Sequence, residues 1–264
     1  MRAFNEADQS VGSRRPRSAD IHPGPGFRVR TSVPRLPPEV VLGFAEFATP
    51  EISDLLNRLY ALDSGIVRMS GPDRPLSGVA CTVRVYPGDN LMVHKSLDVA
   101  APGDVVVVAA SGTLSNAVLG DIISTKARHR GIGGFVVDGL VRDLPSIQAL
   151  DFPVYARGTT PIGPLHRGPG EINYPVACGG VVVNPGDVVV ADGAGVVIVP
   201  QQIAVDLLQR LRAHAEGLAV YLAAVQRGEF DNSWVDTHLH GCEVDPADEL
   251  RVPSATSTAV GAVR

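Results

Sequence analysis

The 264-residue sequence holds only three cysteines, Cys81, Cys178 and Cys242, far apart and without a Cys-x-x-Cys spacing. This excludes a disulfide framework and a structural zinc site, and it fits a reducing, cytoplasmic setting. Also missing is an uninterrupted apolar run approaching the ~18 residues of a membrane span. The arginines near the N-terminus are followed by no apolar stretch, so neither a membrane span nor a secretory signal is expected. Positive charge is in short supply as well: 23 Lys and Arg stand against 28 Asp and Glu, a formal charge of −5. Neutralising a phosphate backbone takes a clustered basic face, so no nucleic-acid partner is expected. The one basic cluster, Arg14, Arg15 and Arg17, lies in a Pro/Ser/Gly-rich lead and reads as a solvated tail.

What is present is apolar residue, 45% of the chain, enough for a sizeable core. Residues 1–37 have little apolar periodicity and read as a flexible arm whose first 35 residues are dispensable for folding. A main domain is expected over 38–240 and a loose tail over 241–264. Thr49-Pro50-Glu51 reads as a helix start, with Thr49 as cap, and the helix continues through Ile52, Leu55, Leu56 and Leu59. From Gly78 to Val199 the pattern changes to short β-branched runs, expected as strands over 79–86, 104–110, 134–138, 154–156, 180–183, 188–191 and 195–199. Several are apolar throughout and should be buried on both faces. Leu119 to Arg130 has helical spacing and lies between two of them, which predicts an α/β fold with a strand–helix–strand crossover. Pro-Gly-Asp recurs at 87–89, 102–104 and 185–187 and reads as a generic turn into a strand. Ile203 to Gln226 forms a long amphipathic C-terminal helix, and the pattern dissolves after Gly228.

The chemistry concentrates in two segments. Asn116 to Ile123 leads from a loop into the predicted helix, so the amides of Gly120, Asp121, Ile122 and Ile123 are unpaired donors at a positive dipole end, suited to a carboxylate. Arg142-Asp143 follows the buried run 134–138, at the end of a strand where ligands collect in layered α/β structures. The arginine offers a planar fork to a carboxylate or enolate oxygen, and the aspartate a hard oxygen to Mg²⁺ or Mn²⁺.

Asp121, twenty residues, then Arg142-Asp143, within its glycine frame, resembles the RraA-like family, which includes 4-hydroxy-4-methyl-2-oxoglutarate (HMG) and 4-carboxy-4-hydroxy-2-oxoadipate (CHA) aldolases. The resemblance runs over about residues 50 to 229, through Gly78-Val79-Ala80-Cys81-Thr82-Val83, Gly88-Asp89-Asn90-Leu91, Ala156-Arg157-Gly158-Thr159-Thr160-Pro161 and Pro175-Val176-Ala177-Cys178-Gly179-Gly180. It implies a layered, swivelling β/β/α domain with a C-terminal helix, assembled as a homotrimer or hexamer with sites at subunit boundaries. It further implies that Asp143 binds a divalent cation, Mg²⁺ or Mn²⁺, that Asp121 holds it through water, and that Arg142 contacts the pyruvyl oxygen and positions a catalytic water. The amides near Ile122 and Ile123 would take the pyruvate carboxylate. The implied activity is cleavage of 4-hydroxy-2-oxo acids to pyruvate and a second oxo acid through a metal-stabilised enolate, with oxaloacetate decarboxylation beside it. The family also contains RraA itself, a non-catalytic protein inhibitor of a ribonuclease. The Arg142-Asp143 pair, with Asp121 in register, favours the lyase.

Glu216, in the C-terminal helix, is the best match to a third carboxylate that the aldolases of this family take from a neighbouring subunit. His94 and Lys95 are candidates to meet a distal substrate carboxylate. His238-x-His240 reads as an exposed pair, and Cys178 as a small buried residue with no histidine placed to activate it. Glycines 131, 133 and 134 precede a strand instead of following one, which removes a dinucleotide loop.

Overall fold

The computed structural model describes residues 25–239. Residues up to Ala213 belong to one compact unit and those from His214 to a second. Its strands are β1 (Phe27–Val29), β2 (Val67–Ser70), β3 (Leu76–Val85), β4 (Val105–Leu119), β5 (Gly134–Val141), β6 (Val154–Thr159), β7 (Gly170–Ile172), β8 (Val176–Cys178), β9 (Val181–Val183), β10 (Val188–Ala191) and β11 (Val196–Val199). Its helices are α1 (Pro38–Gly43), α2 (Thr49–Leu55), α3 (Leu91–Ser96), α4 (Asp121–His129), α5 (Leu144–Ala149), α6 (Ala204–Gln226) and α7 (Ser233–Leu239). None of these helices is long and apolar enough to cross a membrane.

Strands β3, β4, β5 and β6 lie side by side and parallel, each joined to the next through one of α3, α4 and α5. Successive crossovers that advance in one direction place their helices on one face. Because side chains alternate along a strand, each strand feeds two cores. Cys81, Val83, Val106, Val108, Phe135 and Val137 pack with Val93, Ile123, Ala127 and Ile147 of the helices. Ala80, Val105, Val107 and Val136 pack on the opposite side with Val176, Val183, Val189 and Ile198, from the hairpins β8–β9 and β10–β11. The result is the layered β/β/α arrangement expected from the sequence, with α6 at the C-terminal side. Burial on both faces is why these strands are mostly apolar; every residue of β5 is buried, and its charged residue, Asp138, is paired with Arg157 and the Gly179 amide.

Several local expectations are corrected. Thr49 is the first helical residue and Ala48 the cap; the Thr49 hydroxyl donates to Asp192 Oδ1 at 2.6 Å, and α2 stops at Leu55. The turn Pro87-Gly88-Asp89 leads into α3 and not into a strand. Strand β4 extends past residue 110 to Leu119, with register shifts through the exposed stretch from Ser111, which has φ +58°, so Asn116 lies in a strand and the helix begins only at Asp121.

The arm ends earlier than residue 37. Phe27–Val29 pairs in parallel with β7, Arg28 Nε donates to Glu171 Oε1 at 2.6 Å, and Arg35 makes a bidentate pair with Asp104 at 2.7 and 2.8 Å. These arginines reach carboxylates that are almost fully buried, a contact no apolar periodicity signals. Removing residues 1–35 therefore takes Arg35 from Asp104 and Arg28 from Glu171. Arg35→Ala leaves Asp104, 2% exposed, with a single donor, the Ala101 amide. Losing one partner of a buried pair costs about 3–5 kcal/mol; with Arg35 itself open to water, we expect about 2 kcal/mol, read as a lower urea midpoint with unchanged slope.

Candidate active site

The separation between Asp121 and Arg142 is closed by strand pairing. Leu119 at the end of β4 is in register with Val141 at the end of β5, and the Arg142 amide donates to the Leu119 carbonyl at 3.0 Å. Parallel neighbours end on the same edge of the sheet, so Gly120-Asp121 and Arg142-Asp143 emerge side by side. Gly120 caps α4 with no side chain of its own. The first amide bonded back to it is that of Ser124, and among the described residues no group accepts from the amides of Asp121, Ile122 or Ile123. Three donors thus stand open at the positive end of a nine-residue helix.

Asp143 sits at φ +56°, the left-handed region, as the residue before α5. That turn folds its carboxylate back, with Oδ2 3.2 Å from Arg142 Nε. Both side chains lie directly over Gly120: a Cβ there would stand 2.3 Å from Asp143 Oδ2 and 2.9 Å from Arg142 Cγ. Gly163 makes the same room on the other side, where a Cβ would meet Arg142 Nη1 at 2.5 Å. A cleft of about 210 Å³ opens at this point, lined by Gly120, Asp121, Ile122, Ile123, Arg142, Pro164, His94 and His166.

The model of the RraA-like family (Aldolase/RraA) matches residues 49–198, more than half of the chain. This chain belongs to the RraA-like family. A protein of Halalkalibacterium halodurans named "Putative 4-hydroxy-4-methyl-2-oxoglutarate aldolase" is 41% identical over 174 residues, 66% of this chain and 82% of that protein. One of the same name from Azotobacter vinelandii is 33% identical over 60% of this chain and 97% of its own length. Among solved structures, Streptomyces coelicolor RraAS2, described as an unusual member of the RNase ES inhibitor RraA protein family, superposes with a TM-score of 0.66 at 29% identity, over 72% of this chain and 98% of that one.

In this RraA-like chain the residues singled out from the sequence are not all in one place. Gly120, Asp121, Ile122, Ile123 and Arg142 line the cleft, and Asp143 adjoins it through Arg142. The Ile122 side chain is exposed while that of Ile123 is buried, so what the pair presents in common is backbone amide. Glu216 is solvent-exposed on α6, within the second unit. His94 lines the cleft, whereas Lys95 turns to Asp98 at 3.2 Å. His238 is exposed beside Trp234; His240 and Cys242 lie outside the described residues. Cys178 is fully buried, and burial pushes its thiol pKa up; the Cys81 thiol is pushed up to about 12 for the same reason, so neither is a nucleophile at neutral pH.

His166 was not identified from the sequence, and its loop explains how it arrives. The Asp89 carboxylate accepts from the amides of Leu91 and Arg167 at 2.8 and 2.6 Å, and Asn116 Nδ2 donates to the Gly163 carbonyl at 2.9 Å. These bonds hold the loop after β6 against the start of α3 and the end of β4. Nothing local in the sequence marks His166, because the tie depends on the burial of Asp89 and Asn90, polar residues that must find partners, and that burial is seen only in the structure.

Among the described residues no cluster of three or more His, Cys, Asp or Glu side chains forms a cage for a cation. The donors present are the carboxylates of Asp121 and Asp143 on neighbouring strand ends, hard oxygens beside an open cleft. A magnesium-class ion keeps most of its water and needs only one or two carboxylates plus substrate oxygens, so this donor set fits it.

Proposed function

We propose that this chain is a carbon–carbon lyase that cleaves 4-hydroxy-2-oxo acids of the HMG or CHA type to pyruvate and a second oxo acid, and decarboxylates oxaloacetate as a companion reaction. The observation that carries this reading is the junction of the α4 amides with Arg142-Asp143 across the β4–β5 pairing. The names of the relatives point the same way. Asp143 would hold Mg²⁺ or Mn²⁺, with Asp121 acting through water. That cation would supply Lewis-acid stabilisation of the negative charge left on the pyruvyl fragment.

The chain's own groups divide the remaining work. The amides of Asp121, Ile122 and Ile123 bind the pyruvyl carboxylate and fix its orientation. Arg142 sets its guanidinium against the oxo oxygen, which gains charge as the bond breaks, and with Asp121 holds a water for proton movement. Glu216 from a neighbouring subunit of a trimer or hexamer would add a carboxylate at the subunit boundary. Pyruvate release from a panel of 4-hydroxy-2-oxo acids and from oxaloacetate, with Mg²⁺ or Mn²⁺ and with chelator, tests the reading. Divalent-dependent release that chelator abolishes is the expected result. No release from any member, with binding to a ribonuclease instead, would establish the second reading, that of an RraA-type inhibitor, which the likeness to RraAS2 favours.

A further inference from the structure

The cleft has a wall that the roles above leave unused. His94, on α3, and His166, on the loop after β6, face each other edge to face with ring centroids 5.6 Å apart. Both line the cleft that holds Arg142 and the α4 amides. This wall shares one cleft of about 210 Å³ with the amides and Arg142, and we take the C4 end of a substrate anchored at those groups to lie toward it.

The two imidazoles are held differently. His166 is exposed, and its Nδ1 lies 2.6 Å from Asn90 Oδ1, an oxygen that can only accept, so Nδ1 carries the hydrogen and the ring is pinned. His94 is half-buried, and no hydrogen-bond partner ties up either of its ring nitrogens among the described residues. Burial, then Lys126, then His166 hold its pKa below the ordinary imidazole range. A histidine kept neutral has a ring nitrogen free to take a proton, although the same surroundings lower its basicity, and it serves poorly as the cationic partner of a distal carboxylate, the role that the sequence suggested for it.

We propose that His94 is the base that removes the C4 hydroxyl proton in aldol cleavage; the assignment rests on the lyase reading. The imidazole takes the hydroxyl proton as the C4–O bond becomes a carbonyl. The C3–C4 bond breaks, and its electron pair moves to the pyruvyl fragment. The proton is then returned to C3, giving pyruvate with no net gain or loss of protons. Decarboxylation of oxaloacetate has no hydroxyl proton to remove. It needs the amides, Arg142 and the cation site, but not a base at C4.

The two reactions therefore separate in a His94 variant. In His94→Gln the ratio of aldol cleavage to oxaloacetate decarboxylation, each as kcat, is expected to fall about 10²-fold, the usual contribution of a general base. In His94→Ala, added imidazole is expected to restore part of the cleavage rate. His166→Gln should leave the ratio within about threefold, because that ring is a neighbour and not the acceptor. An unchanged ratio in His94→Gln, or the same split appearing in His166→Gln instead, overturns the assignment while the lyase reading stands. Absence of both reactions in the wild-type protein overturns that reading, and this assignment with it.

Discussion

Asp143→Asn is expected to lower pyruvate release by about 10²-fold or more, with partial recovery at high Mn²⁺. Asparagine keeps the size of the side chain and tolerates the left-handed backbone at φ +56°, so the change isolates the anionic donor from backbone strain. Alanine would not separate the two. A loss of 10² corresponds to about 2.7 kcal/mol of transition-state stabilisation, within the range of one electrostatic contact in a preorganised site. Arg142→Lys is expected to lose a similar factor while cation binding, read by calorimetry, survives. The guanidinium fits a slot made by two glycines, and an ammonium can supply neither the planar fork nor the same filling of that slot. Near wild-type turnover in both variants, with assembly intact, would remove this pair from the reaction.

Gly120→Ala is expected to be as damaging as either, although it adds one methyl group and no charge. The backbone of Gly120, at φ −147°, is extended and open to any residue, so its conformation does not demand glycine. The demand comes from the neighbours: the new Cβ would stand 2.3 Å from Asp143 Oδ2, and real atoms do not approach so closely. Asp143 and Arg142, which are partly exposed, would have to swing outward. Turnover should therefore drop about 10²-fold, while the melting temperature moves little, because the strain is relieved at the surface and not in the core. A fully active Gly120→Ala protein would show that the carboxylate over Gly120 is not in its working position.

How far the sequence determined this protein can be judged from particular elements. The β-branched runs from Val79 to Val199 disclosed the central strands, because burial on both faces leaves a predominantly apolar signature. The strands β1, β2 and β7 gave no such signal, since β1 and β2 lie at the sheet edges and β7 is only three residues long. The β4 segment beyond residue 110 read as a loop because its exposed, irregular stretch breaks the period on which strand recognition depends.

The site divides in the same way. Residue type marked the amides from Gly120 to Ile123 and the pair Arg142-Asp143, because a helix start and a strand end are local properties of the chain; the part given to the Asp121 carboxylate came from the resemblance to the RraA-like family. The coming together of those two segments was decided by the register of β4 on β5, a pairing between residues more than twenty positions apart. The same holds for His166, which reaches the cleft only because the buried Asp89 carboxylate ties its loop to α3. Arg35 on Asp104 and Arg28 on Glu171 are also contacts between distant segments. Sequence patterns report what each segment buries against the solvent. Which polar groups satisfy one another in the interior depends on long-range geometry, and only the tertiary structure fixes that.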